Sequence, residues 1–169
     1  MIEAPLLHAY TCKEVASKIK KALAQVIEKD AFLLQCSQEG HVHEISIAHR
    51  LAVYLEPQFP EYNVDCAYNR HAINSETLKS DEKGGVRPSI IVHARGLEEY
   101  NLLVIELEAA DVIPVEGAAE KRLKALTRRG KTAEFGYRYG LFVGFSGLGK
   151  PALRGYEGGK ASEQFFPKI

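Results

Sequence analysis

Residues 139–145 are apolar at nearly every position over the length of one strand. A strand without polar alternation needs cover on both faces, which calls for a sheet with helices packed on each side. Three more strand-length segments precede it, at 62–68, 86–93 and 102–108, and Gly96 in the link 94–101 suits a turn between the last two. Residues 118–128 then read as a helix, with Leu123 and Leu126 on one face and Lys121, Lys124 and Arg128 along another.

Two helices are predicted before the strands. Thr11 and Glu14 have capping-box spacing, in which each side chain satisfies an amide of the first turn. Val15, Ile19, Leu23, Val26 and Ile27 follow at helical spacing, so a helix is predicted over 12–28. After the short apolar segment 32–34, a second helix is predicted over 41–56, ended by Pro57, with Ile45, Ala48, Leu51, Ala52 and Leu55 as its buried stripe. Glu44 falls on or beside that stripe. The polar link 69–85 and the glycine-rich segment 147–169 show no period and receive no element. The predicted order is helix-helix-strand-strand-strand-helix-strand, an α/β domain of about four strands spanning 1–169, since one core serves a chain of ~100–200 residues.

Composition narrows the function classes. Lysine plus arginine and aspartate plus glutamate balance at 22 each, so a polyanion partner has to be held by a local patch. Cys12, Cys36 and Cys66 are odd in number and form no C-x-x-C pair, which suits reduced thiols in a cytoplasmic protein. The first ten residues make a poor secretory signal, and no apolar run approaches the ~20 residues that cross a bilayer. A cytoplasmic protein with no membrane partner is expected.

The segment Arg87-Pro88-Ser89-Ile90-Ile91-Val92-His93, followed by Asn101-Leu102-Leu103-Val104-Ile105-Glu106-Leu107-Glu108, stands in an element order that resembles the PD-(D/E)XK nuclease superfamily from Glu44 to Phe145. The resemblance implies a restriction-endonuclease-like fold with a mixed central sheet flanked by helices. In that family an aspartate follows the proline, a Glu-X-Lys triplet lies on the next strand, and a glutamate from an earlier helix often joins them. Alternation along a strand sends the first and third triplet residues, here Glu106 and Glu108, to one face. Carboxylates suit Mg²⁺ or Mn²⁺, which activates water beside a phosphodiester while the lysine positions or deprotonates that water.

Carried over, the resemblance implies catalytic positions at Glu106, Glu108 and Ser89, and metal ligands at Glu44, Glu106 and Glu108. Lys121, Lys124 and Arg128 become the candidate contacts to DNA or RNA. Ser89 stands where the family has aspartate and is a far weaker Mg²⁺ ligand. Glu108 stands where the family has lysine, and Lys121 or Lys124 is the candidate replacement cation. The leading expectation is a metal-dependent nuclease-like protein with a weakened site, acting on or binding DNA or RNA. The alternative is a catalytically inactive nuclease-fold module that binds nucleic acid or a protein partner.

The same residues have plainer readings. Glu44 suits a helix N-terminus, where the macrodipole favours an anion. Glu108 lies at a strand end open to solvent, and the lysine strip reads as a solvated helix face. Residues 144–150 approach a phosphate-binding P-loop, but Pro151 replaces the required hydroxyl residue. His41, His43 and His49 lack the H-E-x-x-H spacing, so a polar helix start with one partly buried histidine is the expectation there.

Overall fold

The computed structural model describes residues 7–38, 42–68, 70–71, 76–77, 87–109, 117–130 and 135–167. Val86, His41 and most of the link 69–85 lie outside the described residues. Helix α1 spans Cys12–Lys29, and its capping box forms as the sequence predicts, with Thr11 and Glu14 bonded reciprocally. Helix α2 (Ala31–Gln38) follows at once. The Asp30 carboxylate at this junction accepts from Arg50 Nε at 2.9 Å and from the Tyr54 hydroxyl at 2.7 Å, tying the α1–α2 corner to helix α3 (Glu44–Leu55).

His43 caps α3, its Nδ1 accepting from the Ile45 amide at 3.2 Å, so the helix starts three residues later than 41–56 predicts. Ile45 is 53% exposed and Ile47 takes its place in the buried stripe with Ala48, Leu51, Ala52 and Leu55. His49 is exposed, against the expectation of a partly buried histidine in this segment. A short 3-10 turn (Glu56–Gln58) ends the helix with Pro57 in its first positions, as Pro tolerates no helical interior.

The strands are β1 (Asn63–Cys66), β2 (Arg70–His71), β3 (Glu76–Thr77), β4 (Ile90–His93), β5 (Leu103–Glu108), β6 (Tyr139–Gly144), β7 (Ala152–Glu157) and β8 (Lys160–Ala161). Strands β2 and β3 form a separate antiparallel pair. The main sheet is mixed and six-stranded, in the order β1-β4-β5-β6-β7-β8, where about four strands were expected. Among the described residues, only β5 and β6 run parallel, with helix α4 (Ala118–Leu126) between them in the chain.

The two extra strands come from the segment without a period. Gly155 interrupts the alternation of β7, and a Cβ there would meet Phe165 Cδ1 at 2.8 Å and the Phe166 amide nitrogen at 2.9 Å. The glycine that hides the strand is thus what lets the Phe165–Phe166 lid close on it.

Alternation sorts the sheet into two cores. Ile90, Val92, Leu103, Ile105, Leu107, Leu141 and Val143 face α1 and α3, against Val15, Ile19, Leu51 and Leu55. Ile91, Val104, Phe142 and Tyr156 face α4, against Ala119, Leu123 and Leu126. Strand β6 is buried at every position, as its apolar run demands. Each large aliphatic side chain so buried contributes ~1.5–3 kcal/mol, enough in sum to carry a few buried charges. Those charges define the site.

Candidate functional site

Strand β5 presents Val104 and Glu106 to the α4 side, because Leu103, Ile105 and Leu107 are taken by the opposite core. The antiparallel register stops at Ile90 opposite Ile105, and one step further Ser89 stands across from Glu106 on the same face. Ser89 Oγ accepts from the Leu107 amide at 3.0 Å, so its hydroxyl continues the pairing where the backbone ladder ends. Glu44, in the first turn of α3, accepts from the Ala109 amide at 2.9 Å through Oε1 and pins that helix start to the end of β5. Glu108, half-buried, is the last residue of β5. Four of the sequence-predicted positions therefore meet around one end of β5.

Glu106 is the centre of this cluster and is only 3% exposed. Arg122 of α4 grips it with both arms of the guanidinium, Nε to Oε1 at 3.0 Å and Nη2 to Oε2 at 3.1 Å. Burial nevertheless holds the Glu106 carboxyl above the usual carboxylate range; Arg122 pulls it down, while the charges of Glu108 and Glu44 push it up. The two neighbouring carboxylates thus act electrostatically on Glu106.

Helix α4 also carries a second buried acid. Glu120 accepts from Lys124 Nζ at 3.1 Å and lies 3.7 Å from Arg154 of β7. Lys124, proposed from sequence both as a replacement cation and as a contact to nucleic acid, is drawn to Glu120. Lys121 is exposed, and so is Arg128 just beyond the helix end. The cation beside Glu106 is Arg122. Sequence gave it no role, because its partner lies 16 residues earlier on another element and the crossover decides their meeting.

A further polar cluster lies toward the other end of β4, on the same sheet face. Asp65 of β1 pairs across from Ile91 and binds His93 Nε2 at 2.8 Å and Arg95 Nε at 2.8 Å, with the Arg95 Nη2 in a still closer contact. Burial drives the Asp65 carboxyl up, but Arg95 and His93 outweigh it and leave it below its ordinary value. Burial holds the His93 imidazole below its ordinary value, although Asp65 opposes this. Tyr68 packs edge-on to His93 at 4.9 Å. Asp65 had no role in the sequence reading; its alternation with Val64 on a strand was the available signal.

Against a divalent cation, the donor set fits poorly as arranged. Both oxygens of Glu106 serve Arg122, one oxygen of Glu44 serves Ala109, and Ser89 offers a neutral oxygen already engaged by Leu107. Among the described residues, no group of three or more His, Cys, Asp or Glu side chains is placed to hold a metal ion. The loop 145–151 leads from β6 into β7 rather than into a helix, so it also lacks the setting of a phosphate-binding P-loop.

Fold and site together define an α/β protein with a mixed six-stranded sheet and a buried glutamate–arginine pair at the end of a central strand. No protein-family model, curated protein or solved structure matches the chain. Among the described residues, no helix is long and apolar enough to cross a membrane.

Proposed function

We propose that this chain is a restriction-endonuclease-like module that holds a DNA or RNA strand without cleaving it. The observation that carries this reading is the two-armed grip of Arg122 on Glu106, which commits both oxygens of the central carboxylate to a protein cation. An arginine stays protonated at any working pH and cannot act as the base that the lysine of the resembled pattern supplies. Exposed Lys121, next to Arg122, and exposed Arg128, beyond the far end of the same helix, provide the phosphate contacts. With so few basic contacts, binding should be salt-dependent but shallow, the log affinity falling with log salt at a slope of about −2 to −3.

Fluorescence anisotropy with labelled single- and double-stranded DNA and RNA tests the reading. Lys121→Gln with Arg128→Gln is expected to weaken binding and reduce the salt slope by about two. Cleavage in Mg²⁺ or Mn²⁺ that disappears in Glu106→Ala would overturn it in favour of the hydrolase. That second reading draws on the joint action of Glu44 and Glu108 upon Glu106, which concentrates negative charge at one point. Failure to bind any nucleic acid would direct attention to a protein partner instead.

A further inference from the structure

The parallel strands β5 and β6 begin beside a cavity of about 300 Å³, at the opposite end of β5 from Glu106. Leu102 and Glu106 are four residues apart, about 13 Å along a strand, so the cavity and the glutamate–arginine pair are separate places. Its walls are rigidly built. The Asn101 side-chain amide donates to the Phe135 carbonyl at 2.8 Å, and the Asn101 carbonyl accepts from the Arg138 amide at 2.9 Å. Asn101 is 9% exposed and thereby fixes both the loop before β5 and the approach to β6.

Two basic residues, Arg129 and Arg138, line this one cavity together with a single acidic one, Glu99, all three exposed to solvent at its mouth. Among the described residues, neither arginine forms an ion pair. Arg138 lies over the Tyr139 ring at 5.4 Å, which orients it, and both arginines act on the Tyr139 hydroxyl, pulling its pKa down against the burial that raises it. Like charges gathered in a recess repel one another unless an anion joins them. Tyr62 and Tyr100 add flat rings to the wall.

We propose that this cavity binds a phosphate monoester, enclosing at most the nucleotide that carries it, its terminal oxygens held by Arg129 and Arg138. A monoester has three terminal oxygens and can serve two guanidinium forks, whereas a carboxylate serves one. The volume lies at the small end of ligand pockets, which span ~300–1,000 Å³, and so sets the upper size limit. The phosphate belongs either to a free nucleotide or to the phosphorylated end of a strand. The inference is independent of how the Glu106 centre is read.

Isothermal titration of the full chain with adenosine 5′-monophosphate and with adenosine tests it. The monophosphate is expected to bind saturably and adenosine at least tenfold more weakly. Arg129→Gln and Arg138→Gln should each weaken the monophosphate at least tenfold, while Lys150→Gln, in the turn beyond β6, leaves it unchanged. Glu99→Gln should tighten binding by removing the opposing charge, a gain that no unfolded variant can produce. A dinucleotide with a 5′-phosphate that binds as tightly as the monophosphate, against one with a 5′-hydroxyl that does not, identifies a strand end as the ligand; weak binding of both identifies the free nucleotide. Equal binding of monophosphate and adenosine, or affinity indifferent to both arginine substitutions, would overturn the proposal.

Discussion

Replacing Arg122 by leucine isolates what the guanidinium contributes to a glutamate whose side chain is only 4% exposed. In the variant, Glu106 has two choices. It can stay ionised and unpaired, which costs several kcal/mol, or it can take up a proton. A carboxyl of ordinary pKa about 4.5 is protonated at pH 7 for about 3.4 kcal/mol, at 1.36 kcal/mol per pH unit, so protonation sets the ceiling. The native protein already forfeits part of this sum, because burial raises the Glu106 pKa even beside Arg122. For an acid raised on folding, the stability due to this group is full below pH 4.5 and declines as pH rises toward the folded value. Arg122 ends that decline earlier than leucine does. As pH falls, the raised carboxyl takes up its proton in either protein, and the loss shrinks toward that of ordinary contacts, about 1 kcal/mol. Toward pH 7 the loss should grow to about 2–4 kcal/mol. Urea denaturation followed by circular dichroism between pH 4.5 and 7.5 measures this, and in a Glu106→Gln background the loss caused by Arg122→Leu should no longer vary with pH. A loss that stays near 1 kcal/mol across the range would mean that Glu106 is neutral in the native protein. The ion pair, and the argument built on it, would then fall.

Gly140→Ala should destabilise the protein by about 2 kcal/mol in the same denaturation assay, since overpacked sites cost ~1–3 kcal/mol and the new Cβ would meet Thr127 Cγ2 at 2.8 Å. Thr11→Ala should cost about 1 kcal/mol by removing the cap of α1; a change under ~0.3 kcal/mol would show that the cap is immaterial. Titration of the His93 ring by NMR should give a value below 6.5, and Asp65→Asn should lower it further by removing the partner that opposes burial. Because the His93 value is depressed, its contribution to stability is present above pH 6.5 and is lost as pH falls through the folded value.

Where the sequence could be read correctly, a strong period or a local cap decided the outcome. The capping box needs only Thr11 and Glu14, and β6 needs only an unbroken apolar run. Helix α2 was missed because its eight residues give little more than two turns, and Phe32 within it is 73% exposed. The stripe of α3 was misread at one position, Ile45 for Ile47, because Ile45 has helical spacing with Ala48 and Ala52 just as Ile47 has with Leu51 and Leu55. Register brings Ser89 across from Glu106, and the strand motifs made that juxtaposition legible. Arg122 was not legible, since sequence sorts the cations of α4 by helical face but says nothing of which face a buried carboxylate will meet. The exposed Lys121 was easier to notice and less informative.

Under the proposed reading, charge gives Arg122 a purpose. Compared with the pattern it resembles, Ser89 in place of aspartate removes one negative charge, and Glu108 in place of lysine adds two. The cluster is therefore one charge more negative, and a single guanidinium offsets the difference. It restores the balance without restoring the chemistry, because the pair that neutralises Glu106 also occupies both of its oxygens. A divalent ion would have to displace Arg122 and then sit beside the guanidinium it displaced, a like-charge contact in a poorly solvated place. Arg122→Gln removes that obstacle and leaves Glu44, Glu106 and Glu108 as the surrounding carboxylates. Free Mn²⁺ followed by electron paramagnetic resonance should accordingly show at least tenfold tighter binding in Arg122→Gln than in the native chain, with the gain lost in Arg122→Gln combined with Glu106→Gln. Equal Mn²⁺ binding by the native chain and Arg122→Gln would show that Arg122 does not stand in the cation's way.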